Sequence, residues 1–536
     1  MRQAKKKRIL LSGVFGPYGV DDVYGRKENV MELCHNQVTR MQGIASIRHF
    51  LQTFGLYFLA ENVESPVTVL DFPTEKRFVE ELKKYNYDLV GISFIVPNVA
   101  KARRMAELTR RYAPKAEIVI GNHGTVIKGI ENIIACDYVV RGEGIRWLRE
   151  YLGEDTSRPI FHPSLISAME WRLYGIPVPM TQGALVPGLG CPYGCCFCAT
   201  SHFFGKKYLP LVENGDELFS ICCRQAAKLN TNEFTVLDEN ILIHETLALE
   251  LLAAMKRENR FFTFSIFASA DAIKSFGIDN MLRMGVDLVW IGVESKKPVF
   301  HKTRSIDMGR LIADLRKAGI VVVGSAIVGL DHHDKQGIEE DIDYIVSMKC
   351  DMTQFMLFFA IPATRLYEDC EKRGLIDFDL PYEEWNGQKY INWRHPHLTR
   401  DELKWWLDEA FRREYDRLGA SIVRMAQTTL NGYKYLEGSE SDPLLTQRRE
   451  KMYKKCLTFR QLFPTMKRFA HNESERDQIR EIEEAYYEAF GSPVWRTRIV
   501  SRIAESRAFL YSLRLKLGPD IRQPRTRCVR YRWQLK

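Results

Sequence analysis

Several features that define common protein classes are missing from this sequence of 536 residues. It contains no run of about 18 apolar residues, so no helix is expected to span a membrane. The basic start is followed by only a short apolar stretch, Ile9 to Leu11, which is too brief for the apolar core of a signal peptide. Internal repeats and low-complexity segments are also absent. We therefore expect a water-soluble, cytoplasmic protein.

The sequence has little excess charge of either sign. Its 77 Lys and Arg residues face 68 Asp and Glu, and hydrophobic residues make up 45%. These values are typical of globular proteins and exclude disordered and fibrous classes. At about 100 to 200 residues per domain, the length predicts two to four domains. The last 36 residues hold ten basic and two acidic side chains. They indicate either a solvated tail or a surface for anionic lipid headgroups, and we find no nucleic-acid module and expect no nucleic-acid partner.

Residues 1–152 alternate short apolar runs with helical patterns. This alternation predicts a parallel, doubly wound, Rossmann-like sheet, which binds its ligand beyond the carboxyl ends of its strands. We expect three loops to meet there, at Ser93, at residues 121–124 and at residues 141–144. The predicted strands lie at residues 8–11, 68–71, 88–93, 117–121 and 138–140.

The remainder of the sequence divides into three parts. Residues 153–182 carry four prolines and weak periodicity, which favours a linker. Residues 183–376 contain six strands followed by helical stretches and predict a partial (β/α)6 barrel. Residues 377–536 predict a mostly helical region, with helices at 401–415 and 474–490. Aromatic and histidine side chains in this region indicate either core packing or a lid over the barrel: Trp385, Tyr390, Trp393, His395, His397, Trp405 and Trp406.

Four of the twelve cysteines fall within eight residues, which indicates a metal site in a reducing compartment. Cys191, Cys195 and Cys198 have C-x3-C-x2-C spacing after the first barrel strand. Three thiolates can hold a 4Fe-4S cluster and leave its fourth iron open to a substrate or cofactor. The alternative is structural zinc, which prefers four ligands, and Cys196 is poorly placed to be the fourth because it adjoins Cys195.

This segment resembles the signature of the radical S-adenosylmethionine (SAM) superfamily, including the aromatic Phe197 before the third cysteine. The resemblance implies that Cys191, Cys195 and Cys198 bind the cluster and that Cys196 does not. It also implies that the open iron chelates the methionine moiety of SAM, and that an electron from the reduced cluster generates a 5'-deoxyadenosyl radical.

Three downstream motifs resemble other parts of the same superfamily. Ile291 to Ser295 is similar to its fourth-strand motif, Gly324 to Gly329 to its fifth-strand motif, and Asp238 to Asn240 to its Asp-Asp-Asn element. The resemblance implies that the cofactor-binding residues include Phe197, Asp238, Asn240, Glu294, Ser295 and Gly324. In one departure from the family pattern, Gly188-Leu189-Gly190 replaces the commoner Ser-Arg-Gly, which removes an arginine contact.

A doubly wound domain before such a barrel resembles the cobalamin-binding subgroup. The resemblance implies that the cobalamin site includes Ser93, Gly121, His123, Thr125, Gly142 and Glu143. The usual cobalamin carrier places a cobalt-binding histidine after its first strand, but residues 13–25 contain no histidine. We therefore expect no cobalt ligand from that motif, and we expect His123 to line the crevice without binding metal. The alternative is a nucleotide-binding or degenerate Rossmann-like domain.

The resemblance implies an enzyme with a 4Fe-4S cluster, SAM and cobalamin as cofactors. Its expected reaction is methylation of an unactivated carbon or phosphorus of a small-molecule or lipid substrate, with a flavodoxin-type or ferredoxin-type electron donor. One SAM would methylate cob(I)alamin and a second would supply the radical. Two alternatives remain: a radical cyclisation or rearrangement similar to that of the anaerobic porphyrin-ring cyclase, and a non-enzymatic iron-sulfur redox sensor.

Overall fold

A parallel sheet forms the N-terminal part of the molecule, whose computed structural model describes residues 6–18, 21–26, 37–297, 300–303, 306–518 and 520–533. Its parallel strands run in the order β5-β1-β6-β7-β8, as expected for a doubly wound domain. Strand β1 is buried along its whole length because its apolar run is covered on both faces. The elements are β1 (Ile9–Gly13), β2 (Asp21–Asp22), β3 (Gly25–Arg26), β4 (Arg48–Phe50), α1 (Phe54–Glu61), β5 (Val67–Asp71), α2 (Glu75–Lys84), β6 (Leu89–Ser93), α3 (Val99–Tyr112), β7 (Glu117–Gly121), α4 (Ile130–Ile133), β8 (Tyr138–Val139) and α5 (Gly144–Leu152).

The second sheet contains all six predicted barrel strands. They pair in parallel in the order β11-β14-β15-β16-β17-β18, and no pairing in the described part of the chain joins β18 back to β11. The sheet is therefore an open, partial barrel, which confirms the predicted fold class. Its elements are β9 (Leu165–Leu173), β10 (Ile176–Pro177), β11 (Gln182–Leu185), β12 (Gly188–Leu189), α6 (Ala199–Phe203), β13 (Leu209–Pro210), α7 (Gly215–Leu229), β14 (Glu233–Val236), α8 (Glu245–Arg257), β15 (Thr263–Phe267), α9 (Ala270–Phe276), α10 (Ile278–Met284), β16 (Val286–Glu294), α11 (Met308–Lys317), β17 (Val321–Val328), α12 (Lys335–Ser347), β18 (Met352–Leu357) and α13 (Arg365–Lys372).

The predicted linker at residues 153–182 is wrong for most of its length. Strand β9 lies inside it and pairs antiparallel with β10 and β11. The four prolines stand outside β9, before Leu165 and after Leu173, so they flank the strand without interrupting it. The second sheet therefore begins about twenty residues earlier than the sequence pattern indicated.

Residues 37–50 cross from the N-terminal part to the second sheet. Strand β4 pairs antiparallel with β9, and Val38 and Ile47 pack against Val321 and Val323 of β17. Burial of these apolar side chains favours the crossing. The predicted N-terminal domain at residues 1–152 therefore needs correction, because this segment packs with the barrel.

A buried histidine connects the two sheets. His162 packs its ring on Phe58 of α1, with 5.0 Å between ring centroids. Its Nδ1 donates to the carbonyl of Pro163 at 2.7 Å, and its Nε2 accepts from the amide of Val186 at 2.9 Å. This pairing requires a neutral ring, and burial lowers the pKa of His162 to about 4.

The C-terminal region is mostly helical, as predicted. No helix in the described residues is long and apolar enough to cross a membrane. Trp385 and Trp393 are almost fully buried, and their indole N–H groups donate to the carbonyls of Leu380 and Phe358. These aromatics belong to the core, whereas Trp405 is exposed. The helices are α14 (Arg400–Leu418), α15 (Ser421–Tyr435), α16 (Pro443–Arg460), α17 (Phe463–Arg468), α18 (Glu473–Phe490) and α19 (Trp495–Lys516).

The basic segment after α19 is not a solvated tail. Residues Arg527–Tyr531 form strand β19, which pairs antiparallel with the edge strand β5 of the N-terminal sheet. Arg530 forms an ion pair with the buried Glu81 at 2.7 Å, and Arg532 donates to two carbonyls at the end of α1. The predicted lipid contact through this tail is therefore wrong for these two arginines, because internal groups already bind them.

Candidate functional site

The cysteine motif occupies the loop between β12 and α6. Gly190 has φ of +85°, and a Cβ there would approach the Lys207 carbonyl to 2.3 Å, so only glycine fits without a shift of the backbone. The Ser201 hydroxyl donates to the carbonyl of Cys191 at 2.6 Å and accepts from the amide of Gly194 at 3.2 Å. The first turn of α6 therefore fixes the shape of the loop that carries the thiols.

The four thiols have different charged neighbours. Burial raises the pKa of each of them, and that of Cys198 reaches about 11. Glu239 adds to the increase at Cys191 and Cys198, whereas Lys302 opposes it at Cys195. Cys196 has Asp331 and Arg365 as its charged neighbours instead. This difference supports the prediction that Cys196 stands apart from the other three.

The donor set fits an iron-sulfur cluster. All three motif cysteines are free thiols, and thiolate is the ligand that such clusters require. No three His, Cys, Asp or Glu side chains in the described residues are grouped to hold a single metal ion. The assignment therefore rests on the three thiols and their loop. Their raised pKa values mean that a cluster must displace the thiol protons on binding.

Phe197 lies among other aromatic rings next to the motif. Its ring centroid is 5.2 Å from that of Phe300 and 6.2 Å from that of Phe358. The Lys302 ammonium stands 5.9 Å from the same ring. The predicted Phe197 therefore separates the thiols from the core beneath them.

A buried ion pair stands at the end of β16. Glu294 is 5% exposed, and its carboxylate accepts from the Lys302 ammonium at 2.5 Å. Burial opposes the charge on Lys302, but Glu294 and the neighbouring thiols raise the pKa of Lys302 above its usual range, so it stays protonated. A Cβ on Gly292 would come within 2.3 Å of Glu294 Oε1 and 2.7 Å of Lys302 Nζ. Glycine at position 292 is thus what makes room for the pair.

Glu294 also has a strained backbone, with φ of +67°. A non-glycine residue in this region costs on the order of 1 kcal/mol, and such strain is concentrated at functional sites. The pair with Lys302 holds the Glu294 carboxylate beside Cys195. The contact of Glu294 with the cofactor stays a prediction.

Asp238 and Asn240, which follow strand β14, have different roles in the structure. Asn240 bonds twice to Ser269, which ties the ends of β14 and β15 together. Asp238 accepts from the Asn240 amide through Oδ1, and its Oδ2 is buried without a hydrogen-bond partner among the described residues. Burial raises the pKa of Asp238 to about 6. Asn240 is therefore a structural clamp, whereas Asp238 lies beside the Tyr208 hydroxyl, which opposes the increase in the pKa of Asp238.

Glu239 is not among the predicted site residues. Of residues 238–240, it is the one whose charge acts on both Cys191 and Cys198 most strongly. Its carboxylate is accessible to solvent, yet surrounding protein raises its pKa, and a hydrogen bond from Thr200 partly offsets that increase. Glu239 therefore lies near Cys191 and Cys198 at a position that solvent can reach.

Two of the predicted SAM contacts have other roles in the structure. A Cβ on Gly324 would meet the Sγ of the buried Cys350 at 2.7 Å, so packing explains this glycine. The hydroxyl of Ser295 accepts from the Lys297 amide at 3.2 Å and also stabilises the carboxylate of Asp341. Both roles were missed because the sequence motif does not tell which face of a strand or turn a residue occupies. The SAM contacts of Gly324 and Ser295 stay predictions.

At the carboxyl edge of the N-terminal sheet, two glycines leave the backbone open. A Cβ on Gly121 would meet only the carbonyl of Val140, at 4.0 Å, and one on Gly142 would meet no described heavy atom within 4 Å. Beside them, the Ser93 hydroxyl accepts from Asn122 Nδ2 at 3.1 Å. This edge therefore leaves the backbone accessible to a ligand, in agreement with the predicted roles of these glycines.

Local backbone groups already bind the side chains of Thr125 and Glu143. Thr125 is fully buried, and its hydroxyl donates to the Asn122 carbonyl at 2.8 Å. Glu143 caps α5, where its carboxylate accepts from the amides of Ile145 and Arg146. These bonds explain both side chains by local structure. Their contacts with cofactor stay predictions.

His123 connects the carboxyl edge of the N-terminal sheet with the helix that follows the cysteine loop. Its ring lies 4.4 Å from that of Phe203, in the helix that follows the motif cysteines. Burial lowers the pKa of His123 to about 4, so the ring is neutral near pH 7. A salt bridge of 2.5 Å between Lys128 and Glu371 joins the same parts of the molecule. The crevice of the N-terminal sheet therefore opens beside the cysteine loop.

Comparisons with known proteins agree with this arrangement. A family model described as a B12 binding domain matches residues 43–152. An uncharacterized methyltransferase of Pyrococcus horikoshii is 24% identical over 60% of this chain and 79% of its own length. Bacteriochlorophyllide d C-12(1)-methyltransferase of Chlorobaculum tepidum is 25% identical over 57% and 70%. An anaerobic magnesium-protoporphyrin IX monomethyl ester cyclase of Rubrivivax gelatinosus is 21% identical over 57% and 62%.

Among solved structures, the fold is similar to that of TsrM, a radical SAM methyltransferase of Kitasatospora setae solved with cobalamin and a [4Fe-4S] cluster. The TM-score is 0.54 at 15% identity, over 84% of this chain and 99% of the other. The same enzyme with tryptophan and a SAM analogue gives a TM-score of 0.51 at 17% identity, over 77% and 89%. The predicted fold and the predicted resemblance to cobalamin-dependent radical SAM enzymes are thereby confirmed.

Proposed function

We propose that this chain is a cobalamin-dependent radical SAM methyltransferase acting on an unactivated carbon or phosphorus of a small-molecule or lipid substrate. The observation that carries this proposal is the contact between His123 and Phe203. It brings the open edge of a matched B12 binding domain against the helix that follows three free thiols. Such an enzyme needs its methyl-carrying group and its radical source beside one shared cleft.

The residues fit the three cofactors of the family. Cys191, Cys195 and Cys198 would hold a 4Fe-4S cluster, and the Gly121 and Gly142 edge would receive cobalamin. Glu239 offers an acceptor for the amino group of SAM beside the thiols. When bound, the cluster and SAM supply a 5'-deoxyadenosyl radical, and cobalamin supplies the methyl group. The packed rings around Phe197 exclude water from one side of this cleft.

A cytoplasmic location and a flavodoxin-type or ferredoxin-type electron donor are part of the same proposal. Every cysteine in the described residues is a free thiol, which suits a reducing compartment. Reductive cleavage of SAM needs a low-potential electron, and a flavodoxin-type or ferredoxin-type partner would supply it.

The test uses SAM labelled with deuterium in its methyl group. Anaerobically reconstituted, reduced protein is incubated with metabolite and lipid extracts from cells that lack the gene. We expect 5'-deoxyadenosine and transfer of the label to a product that is heavier by one labelled methyl group. A product without label would favour the cyclisation reaction, to which the cyclase relative lends support. Absence of 5'-deoxyadenosine from cluster-loaded protein would favour the redox sensor.

A further inference from the structure

Helix α19 presents large apolar side chains to solvent and small ones to the protein. Its outward residues recur every three, four or seven positions, so they form one stripe along the helix. Trp495 is 66% exposed and Leu510 64%. On the opposite face, Ser501, Ala504 and Ala508 are buried. The stripe comprises Trp495, Ile499, Ile503, Leu510, Leu513 and Leu517.

Basic side chains border this apolar stripe on both sides. At 3.6 residues per turn, Arg496, Arg507 and Arg514 lie along one border and Arg498, Arg502 and Lys516 along the other. None of the six forms an ion pair with a carboxylate in the described part of the chain. The one acidic residue of α19, Glu505, pairs with Arg468 at 2.9 Å.

The charge on the helix decides what can cover the stripe. Six basic and one acidic side chain give α19 a net charge of +5. A second copy of the chain docked through the same face would bring two such charges together, which is unfavourable. An anionic bilayer surface instead receives the apolar side chains among its acyl chains while the arginines reach its headgroups. At 22 residues the helix is about 33 Å long and suits an orientation parallel to the membrane plane.

We propose that α19 binds the surface of anionic lipid bilayers. This inference does not rest on the proposed methyl transfer, and it concerns a different element from the basic segment at β19. Attraction between the arginines and anionic headgroups favours binding near the surface, and burial of the stripe adds to it. Among the described residues no other element covers the outward face of the helix, whose apolar side chains are exposed, so the whole protein can dock without unfolding.

The experiment is vesicle flotation with the full-length protein. We expect it to float with phosphatidylcholine vesicles that contain about one third phosphatidylglycerol, and to stay unbound with phosphatidylcholine alone. The double variant Ile503→Asn and Leu510→Asn should lower the bound fraction by about tenfold or more, because two apolar anchors are lost. Leu249→Asn, an exposed apolar position on α8, is the matched control and should bind as the wild type does.

A second variant separates charge from apolar contact. Replacing Arg496, Arg507 and Arg514 with Gln should weaken binding to anionic vesicles and make it less sensitive to salt. Unchanged circular dichroism and melting temperature would show that both variants fold. The proposal is overturned if the wild type does not bind anionic vesicles, or if the stripe variant binds equally well. It is also overturned if the stripe variant converts a wild-type dimer to a monomer without changing vesicle binding.

Discussion

The two sheet edges that meet at His123 and Phe203 differ in the groups they present. The N-terminal edge offers the bare backbone at Gly121 and Gly142 and a neutral histidine. The edge of the second sheet offers thiols, the Glu239 carboxylate and the charged Lys302. Shape and backbone access therefore determine binding at the first edge, whereas charge determines it at the second. A large, flat cofactor suits the former, and an iron-sulfur cluster with a zwitterionic ligand suits the latter.

The largest expected effect concerns the thiols of the second edge. Replacing Cys191, Cys195 or Cys198 with Ala should abolish the reconstituted 4Fe-4S cluster, measured as bound iron and by electron paramagnetic resonance. Cys196→Ala is the matched control and should keep its cluster, because its charged neighbours differ from those of the other three. Loss of the cluster in Cys196→Ala would refute this assignment. Cobalamin binding should survive in all four variants.

Gly121→Leu tests the proposed cobalamin site at the carboxyl edge of the N-terminal sheet. The position has room for a side chain within the protein, so the variant should keep its melting temperature. The leucine would fill the space over the backbone, and we expect cobalamin affinity to fall at least about tenfold, or ~1.4 kcal/mol. The 4Fe-4S content should not change. Normal cobalamin binding by a folded Gly121→Leu protein would place the ligand elsewhere.

The third prediction concerns His162, which packs between the two sheets. Its pKa is lowered to about 4 in the folded protein, compared with 6.5 when unfolded. Between these values the unfolded chain binds more protons, so stability is lost as the pH falls from 6.5 towards 4. The full loss amounts to about 3 kcal/mol. Denaturant titrations across this range should show a flatter pH profile for His162→Asn. A profile as steep as that of the wild type would assign the acid sensitivity to other groups.

A smaller effect is expected from the charge at position 302. Lys302→Met removes a cation beside Cys195, and the reduced cluster, which is more negative, loses its stabilisation. The reduction potential should fall by on the order of 60 mV, equivalent to ~1.4 kcal/mol. Potentiometric titration followed by electron paramagnetic resonance measures it, with Lys302→Arg as the control that restores the charge. An unchanged potential in Lys302→Met would limit Lys302 to positioning Glu294.

The last substitution, His123→Ala, is expected to leave the electron paramagnetic resonance spectrum of bound cob(II)alamin unchanged. In the cob(II)alamin state, an axial nitrogen splits the cobalt lines into triplets. The sequence offers no histidine at residues 13–25, and His123 contacts Phe203. We expect the wild type and His123→Ala to give the same spectrum without triplets. Triplets in the wild type that disappear in His123→Ala would identify His123 as a cobalt ligand.

The sequence predicted well those features that lie close together in the chain. The positions of the strands and the cysteine loop follow from local patterns, because hydrophobic periodicity marks the strands and a short spacing fixes which thiols can meet. The packing of Gly324 against Cys350 could not be predicted, because a glycine in a strand does not reveal which face of the strand it opens. The local bonds of Thr125 and Glu143 were also missed, because polar side chains after a strand often bond to nearby backbone groups. Ligand binding and helix capping use the same types of polar residue, so the sequence does not distinguish them.

Contacts between distant parts of the chain could not be predicted. Lys302 lies in a one-turn 3-10 helix, His301–Thr303, which no periodic pattern in the sequence indicates. Only the folded structure shows that it pairs with Glu294. Strand β19 is short and rich in arginine, so its sequence is typical of a solvated tail. Its pairing depends on the exposed edge of β5. The crossing of residues 37–50 to β9 was missed for the same reason, because neither partner has a local signal of the other.

The pairing of β19 with β5 also constrains the order of events during synthesis. Strand β5 leaves the ribosome early, whereas its partner at Arg527–Tyr531 follows after the whole barrel and six further helices. At about 5 to 20 residues per second, the edge of the N-terminal sheet stays unpaired for tens of seconds. The unpaired N–H and C=O groups of such an edge strand can pair with strands of other nascent chains. We expect this protein to depend on chaperones during translation more than its parallel core alone would require.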